Sequence, residues 1–306
     1  MRQKQARSRV SQKGRHTAAI RQGYAYLLPV LLILAGMVAW PVAEAWRMSF
    51  YDIYLLRSGG RETFAGLDNY VRFFQDADAP EYLLNTSIFV LGGVGGQLVM
   101  AMMLALLLNT TLFLRGIWRA LAVIPWAMPI TVTIMVWRWI LDGQWGILNY
   151  VLIELGVIST PIDWLSSNAW LWPTLLLVNA WAGFPFLFVN LLAGLQGIPQ
   201  ELNEAARIDG AGSWTLFWRI TLPMLRPVIT TLVLLGVIMH LREFATIWML
   251  TSGGPGIRST TLSPLVYVTT FRFFRLGYGA AIGVMLMLIT LIFTLVYLRR
   301  VRASIA

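Results

Sequence analysis

Residues 196–227, QGIPQELNEAARIDGAGSWTLFWRITLPMLRP, connect two long apolar stretches and are more strongly patterned than a simple connection requires. Pro199 suits the first turn of a helix, where its missing N–H costs nothing, and Gly210 allows the backbone to turn afterwards. The aromatic residues that follow share one face at helical spacing: Trp214, Phe217 and Trp218. We expect Pro223 to end this second helix and Pro227 to begin the next apolar stretch, so the pattern predicts two short helices lying parallel to a membrane.

We call residues 196–227 the signature loop. The apolar stretches on either side of it are long enough to cross a membrane. Of the 306 residues, 58% are hydrophobic and 12% are charged, too few charges to cover a water-soluble protein of this size. About 20 apolar residues span the hydrocarbon core as a helix. Six stretches qualify: 24–46, 86–108, 117–140, 169–195, 228–250 and 278–298. The sequence therefore predicts an all-α, polytopic membrane protein with six transmembrane helices.

The distribution of Lys and Arg predicts the orientation of these spans. An even number of spans places both termini on one side, and positive residues favour the cytoplasmic side. Fifteen Lys and Arg lie in segments on the side of the termini, against seven on the opposite side. We therefore expect both termini and the signature loop in the cytoplasm. A basic region precedes the first span, as in a signal peptide, but the apolar run is long enough for an uncleaved anchor.

These boundaries divide the chain into five parts. They are a basic cytoplasmic tail (1–23), the first transmembrane helix (24–46), an outer loop (47–85), a five-helix core that includes the signature loop (86–298) and a cytoplasmic C-terminal tail (299–306). Four apolar residues of the outer loop recur at helical spacing: Leu67, Tyr70, Val71 and Phe74. This spacing predicts a short helix along the outer membrane surface.

One motif in the signature loop resembles a known family. Glu204-Ala205-Ala206 is followed after three residues by Gly210 and after nine more by Ile220-Thr221-Leu222-Pro223. Order and spacing resemble the EAA signature of ABC importer permeases, whereas periodicity alone also fits an amphipathic loop at the lipid interface. In that family this loop fits a cleft on a separate ATPase. The resemblance implies ATPase coupling for Glu204, Ala205, Ala206, Asp209, Gly210, Ile220, Leu222 and Pro223.

Three further stretches resemble the carbohydrate-uptake branch of that family, which includes maltose and glycerol-phosphate permeases. They are GLDNYVRFF at 66–74, IPWAMPITVTIMVWRWILDGQWGILNYVL at 124–152 and LTSGGPGIRSTTLSPLVYVTTF at 250–271. The resemblance covers most of the chain and implies the type I ABC importer permease fold, whose first span reaches over a partner permease. It also implies a binding-protein-dependent importer of a sugar or sugar derivative in the bacterial inner membrane.

The resemblance implies three protein partners. They are a second permease subunit, usually a different chain in this branch, a dimeric ABC ATPase and an extracytoplasmic solute-binding protein. This chain lacks a phosphate-binding loop, since its only lysines are Lys4 and Lys13. ATP and Mg²⁺ would therefore bind to the ATPase, and we expect a non-catalytic chain without a cofactor or metal of its own. We expect the basic tail to contact membrane lipid and not nucleic acid, because no nucleic-acid-binding motif accompanies it.

Polar residues within the spans mark a candidate substrate path. A polar group at membrane depth is costly unless it faces a bundle interior or water. The fourth span contains two asparagines near Gly183 and Pro185, and the fifth contains His240 and Arg242. Aromatic faces and hydrogen-bonding groups together hold sugars. The candidate path residues are Asn179, Trp181, Phe184, Asn190, Glu243, Phe244 and Trp248.

Two other functions stay open from the residues alone. An ion-coupled secondary transporter needs carboxylates within its spans, and only Glu243 clearly lies in one. A membrane-embedded enzyme needs a catalytic constellation, but His16 and His240 are far apart and no H-E-x-x-H motif is present. Neither function explains the pattern of the signature loop, so we predict an ABC importer permease.

Overall fold

The structure, a computed structural model, describes residues 26–58 and 61–305, with side chains over 26–57 and 61–300. The predicted basic tail lies outside the described residues. Helices make up most of the described chain, and the strands form one short hairpin. In chain order the elements are α1 (Tyr26–Ser49), β1 (Tyr51–Ile53), α2 (Leu55–Ser58), β2 (Glu62–Phe64), α3 (Asp68–Gln75), α4 (Ala79–Leu108), α5 (Arg115–Ala127), α6 (Ile130–Ile140), α7 (Ile147–Glu154), α8 (Leu171–Gln196), α9 (Gln200–Ile208), α10 (Ser213–Leu241), α11 (Ala245–Thr251), α12 (Leu262–Tyr267) and α13 (Leu276–Ile305).

Six spans are present in the described chain, as the sequence predicts. Helices α1, α4, α8, α10 and α13 are each long and apolar enough to cross a membrane, and the bent pair of α5 and α6 is the sixth when it is counted as one span. The prediction of one continuous helix over 117–140 is wrong, because α5 and α6 meet at 95°. Met128 is extended (ψ 137°) and Pro129 follows it. Proline disfavours the helical conformation in the residue before it, which explains a break at this position.

The predicted end of the second loop helix at Pro223 is also wrong. Helix α10 runs without a break from the signature loop into the fifth span, and both Pro223 and Pro227 lie inside it. A π-helical turn over Phe217–Thr221 precedes Pro223, and the N–H of Leu222 donates to the Phe217 carbonyl. Because this wider turn already departs from the α-helical bonding pattern, the proline ring fits where a regular α-helix would break.

The far end of the fifth span differs from the predicted continuous helix over 228–250. Helix α10 ends at Leu241, and α11 begins at Ala245, after a break of three residues. Glu243 lies in this break, and its Oε1 accepts hydrogen bonds from the N–H (2.9 Å) and the Oγ1 (3.1 Å) of Thr246. The carboxylate thus pairs a free N–H in the first turn of α11, which stabilises a helix start at membrane depth.

Helix α8 occupies the centre of the bundle. Its most extensive contact is with α4, and it also packs against α5, α6, α10 and α11. The glycines of α4 allow a close approach to α8: a Cβ at Gly92 would lie 2.7 Å from Leu176, and one at Gly96 would lie 3.4 Å from Ala180. Helix α8 continues through Pro185, whose neighbours Phe184 and Leu187 are buried in the apolar core.

The hairpin of β1 and β2 caps one end of the bundle, which we call the hairpin end. The predicted short helix is confirmed as α3, and its Asn69 donates to the carbonyls of Ser49 (3.0 Å) and Tyr51 (2.9 Å). The apolar face identified from the sequence is largely exposed in α3, including Phe74. Arg47 pairs with Glu62 of the hairpin, and its hydrogen bond lowers the pKa of the Glu62 carboxyl.

A second ordered segment connects α6 to α8 at the same end. Asp142 accepts hydrogen bonds from the backbone N–H groups of Trp145 and Gln144, which lower the pKa of its carboxyl. The buried Asn149 side chain pairs with the backbone of Ile162 and with the indole N–H of Trp164. The bonds to Asp142 stabilise the turn that follows α6.

Candidate functional site

A polar network joins three spans inside the bundle. Gln97 of α4, Asn179 of α8 and His240 of α10 are all buried. The Gln97 Nε2 donates to the backbone oxygen and to the Oδ1 of Asn179, each at 3.1 Å. The same Oδ1 lies 2.9 Å from His240 Nε2, and His240 Nδ1 lies 2.7 Å from the Gly236 carbonyl. Since a buried polar group without a partner is costly, the network favours one register of α4, α8 and α10.

Two glycines provide the room for this network. A Cβ at Gly93 would lie 2.5 Å from His240 Cδ2 and 2.9 Å from Asn179 Oδ1. A Cβ at Gly183 would overlap the side-chain amide of Gln97. In contrast, a Cβ at Gly95 would meet nothing within 4 Å. Glycine is therefore required sterically at two of these positions and not at the third.

A cavity of about 270 Å³ lies beside the network, and we call it the central cavity. Its polar side is formed by Gln97, Asn179, His240, Glu243 and Thr246. Its apolar wall includes Trp126 and Phe186, whose rings are tilted by 57° with centroids 6.0 Å apart. The remaining lining residues are small or apolar: Ile130, Ala182, Gly183, Leu187, Leu232, Gly236 and Met239.

The central cavity lies between the two interrupted spans. Trp126 precedes the bend between α5 and α6, and Ile130 follows it. Glu243 lies in the break between α10 and α11, and Thr246 lies in the first turn that follows it. Irregular backbone at membrane depth is tolerated where it is buried in protein or lines a water-filled cavity. The two breaks and the polar lining therefore have the character of a ligand site within the spans.

The structure brings two predicted path residues, Asn179 and Glu243, to the central cavity. Trp181 instead packs edge-on against Trp137, with ring centroids 5.6 Å apart. Phe184 is buried in the apolar core. Asn190 is exposed and donates to the Phe186 carbonyl at 2.7 Å.

The two remaining predicted path residues, Phe244 and Trp248, form a separate aromatic cluster. Their rings stack with centroids 5.7 Å apart, and Tyr267 of α12 packs against both. The Arg272 guanidinium lies over the Trp248 ring, 5.3 Å from its centroid. This cluster is half-buried and does not line the central cavity.

Several residues that line the cavity are not among the predicted path residues. Gln97 and His240 supply much of the polar side, and Trp126 and Phe186 supply the aromatic wall. A polar residue in an otherwise apolar helix, close to a run of glycines, is the signal that could have identified Gln97. For the aromatic residues no such signal exists, since a wall residue and a packing residue have the same composition.

The signature loop differs from the central cavity, because most of its side chains are exposed. Helix α9 has no buried residue, and of its predicted coupling residues Glu204 and Ala205 are exposed while Ala206 is half-buried. Gly210 has φ +82°, and its N–H donates to the Arg207 carbonyl at 3.0 Å. A left-handed residue of this kind ends a helix, and glycine adopts it without strain. The turn that the sequence predicts after α9 therefore depends on glycine at this position.

Apolar side chains of the signature loop project away from the bundle. Ile208 at the end of α9 is 86% exposed, and Trp214 at the start of α10 is 75% exposed. Ile220 and Leu222 are half-buried, whereas Asp209 and Pro223 are exposed. In the described part of the chain, no three His, Asp or Glu side chains are grouped to hold a metal ion.

Comparison with known proteins identifies the family. Residues 97–302 match the family described as the binding-protein-dependent transport system inner membrane component. The chain belongs to this family. It is therefore a multi-pass inner-membrane permease of an ABC importer, which confirms the resemblance based on the signature loop. Nothing in these comparisons favours the ion-coupled alternative.

Relatives of this permease match it along nearly the whole chain. It is 36% identical to the sulfoquinovosyl glycerol transport system permease of Agrobacterium fabrum, over 91% of this chain and 89% of that protein. It is 35% identical to the trehalose/maltose transport system permease of Thermococcus litoralis, over 90% and 92%. A solved bacterial importer of the acidic polysaccharide alginate has 23% identity and a TM-score of 0.74, over 92% of this permease and 94% of that chain. The last comparison confirms the permease fold.

Proposed function

We propose that this permease imports a sugar or sugar derivative through the central cavity, driven by a separate ATPase that docks on the signature loop. The cavity is the observation on which the proposal depends, because it combines a polar side with an aromatic wall at membrane depth. The transport systems of the relatives described above, named for sulfoquinovosyl glycerol and for trehalose and maltose, support a sugar. One of those sugars is sulfonated and the others are uncharged, so the family leaves the charge of the solute open.

The lining of the central cavity suits a sugar. The apolar face of a pyranose ring can pack on the rings of Trp126 and Phe186. Glu243 and Thr246 supply hydrogen-bonding groups for hydroxyls. A small number of placed polar groups in a mostly apolar pocket is the usual composition of a small-molecule site. Asn179 and His240 contribute by holding the polar side in place.

Helix α10 offers a direct mechanical connection between the signature loop and the cavity. It begins at Ser213 in the loop and reaches Leu241, next to His240 and the break that contains Glu243. Its 29 helical residues at about 1.5 Å each span about 40 Å. In our proposal, closure of the ATPase displaces α9 and the start of α10, and the helix transmits this movement to the cavity. Rigid-body movement of this kind would open the cavity to each side in turn.

The proposal includes the partners that the resemblance implies. The signature loop would face the cytoplasm, with both termini, and its exposed Ile208 and Trp214 would pack against a dimeric ATPase that binds ATP and Mg²⁺. Helix α1 has exposed residues from Tyr26 to Val42, a face available to lipid and to a second permease subunit. A solute-binding protein would deliver the sugar at the hairpin end.

Two matched glycine substitutions test the coupling role. Gly210→Val places a β-branched residue at φ +82°, a conformation it strongly disfavours, whereas Gly212→Val introduces the same side chain at φ −75° with open space around it. We expect Gly210→Val to lower sugar-stimulated ATP hydrolysis and uptake by the complete transporter at least about tenfold. We expect Gly212→Val to stay close to the unmodified protein. Full coupling in both variants, with both assembled, would refute the docking role.

A further inference from the structure

The central cavity contains one carboxylate and no nearby positive side chain. Glu243 is the only Asp or Glu among the described residues that line it, and no Lys or Arg lines it. The neighbouring Arg242 is exposed and lines a separate groove with Leu286 and Thr290 of α13. Arg138 of α6 donates to the Met249 carbonyl and lines another pocket, at the hairpin end. The arginines close to the cavity in sequence are therefore directed elsewhere.

One oxygen of Glu243 is available to a ligand. Its Oε1 accepts both hydrogen bonds from Thr246, and no described residue donates to its Oε2. Gln97 Nε2, Asn179 Oδ1 and both His240 ring nitrogens are already engaged with one another or with the Gly236 carbonyl. Because Glu243 is the charged acceptor of this lining, a hydrogen-bond donor on the ligand would bind to it most strongly.

We propose that the central cavity selects for sugars without acidic groups, with Glu243 Oε2 accepting a hydroxyl or amino donor from the sugar. This proposal rests on the sugar-import function proposed above and adds which charge on the solute the cavity disfavours. A carboxylate or sulfonate on the solute would lie close to Glu243 in a largely apolar cavity. Like charges repel strongly at short distance when little water separates them. Hydroxyl groups would instead form charge-assisted hydrogen bonds to the carboxylate.

The absence of cysteine from the chain allows a direct test of the charge preference. Ala182→Cys introduces a single thiol into the cavity lining, and its modification is followed on this chain in the assembled transporter. The probes are a cationic and an anionic methanethiosulfonate of similar size, with rates normalised to a free thiol in solution. We expect the cationic reagent to react about tenfold faster than the anionic one after normalisation.

Two neutralising substitutions test whether the ratio of the two modification rates comes from the charge of Glu243. Glu243→Gln keeps the size of the side chain and removes its charge, and we expect it to bring the normalised ratio close to one. Glu154→Gln removes a charge from the exposed end of α7, and we expect it to leave the ratio unchanged. Equal rates for both reagents without these substitutions, or a ratio that survives Glu243→Gln, would overturn the charge selection.

Failure of the proposed function has a different signature in the same experiment. Uncharged sugars, for which maltose and trehalose serve as probes, should slow modification of the thiol if the cavity is a sugar site. A tenfold ratio without any protection by a sugar bound to the complete transporter would contradict the sugar site and leave the charge preference intact. If neither reagent reacts, with or without ATP, the cavity is not part of the path, and both proposals are overturned.

Discussion

The functional side chains of the central cavity are buried and paired, whereas those of the signature loop are largely exposed. In the cavity, Gln97, Asn179 and His240 pair with one another, so the chain satisfies its own buried polar groups. In the loop, Ile208 and Trp214 are largely exposed, and α9 buries no residue. The first region is complete within one subunit, whereas the second exposes an apolar surface that a partner would cover. Substitutions should therefore affect folding in the cavity and assembly in the loop.

The largest effect is expected from removing the shared acceptor of the polar network. Asn179→Leu removes the Oδ1 that pairs with both the Gln97 amide and the His240 ring, and each unpaired buried group costs about 1–3 kcal/mol. We expect a lower thermal unfolding midpoint of the purified transporter and loss of uptake. Asn190→Leu on the same helix is the control, because that side chain is exposed and donates only to the Phe186 carbonyl. Equal losses in the two variants would contradict a special role for the network.

A somewhat smaller effect is expected from crowding the network. Gly93→Ala places a methyl group against His240 and Asn179, and overpacking of this kind costs about 1–3 kcal/mol. Gly95→Ala adds the same methyl group two residues further along α4, where it meets nothing. We expect only the first variant to unfold at a lower temperature and to transport more slowly. If Gly95→Ala is as unstable as Gly93→Ala, close packing around Gly93 does not explain the loss.

The smallest effect is expected in the signature loop, and it should appear only in assembly. Ile208→Ala removes an exposed apolar side chain, so we expect the stability of the permease itself to stay unchanged. Affinity for the ATPase should fall by about 1 kcal/mol or more, measured by titrating the ATPase onto permease in lipid discs. Phe74→Ala at the hairpin end is the control, since this residue is similarly exposed and far from the loop. Unchanged ATPase affinity in Ile208→Ala would separate the exposed patch from docking.

Apolar run lengths predicted most of the fold, whereas the positions of prolines did not predict reliably where helices end. Span lengths follow from apolar runs, and five helices of the described chain are each long enough to cross a membrane, although the predicted third and fifth spans are both interrupted. Pro129 breaks the third span, but Pro223 does not break the fifth. A π-helical turn at Phe217–Thr221 precedes only the second proline. Sequence neighbours alone do not distinguish the two cases, since both prolines follow apolar helical runs.

The two candidate sites also differ in how far the sequence predicts them. The signature loop is contiguous, so its order and spacing are sufficient to indicate the family, and the family comparison confirms it. The cavity is assembled from residues as far apart as Gln97 and Thr246. Whether an aromatic residue forms a wall or packs in the core depends on the helix opposite: Phe186 lines the cavity, whereas Phe184 is buried.

The sequence by itself determined that this chain crosses the membrane six times and carries a permease signature between its fourth and fifth spans. Both properties depend on residues that are neighbours along the chain, since hydrophobic length and motif spacing are local quantities. Only the tertiary structure decided that Asn179, His240 and Glu243 meet at one cavity, and that α10 joins that cavity to the loop. Those contacts arise because the glycines of α4 and α8 let three helices approach closely, and such an approach is a property of the packed bundle.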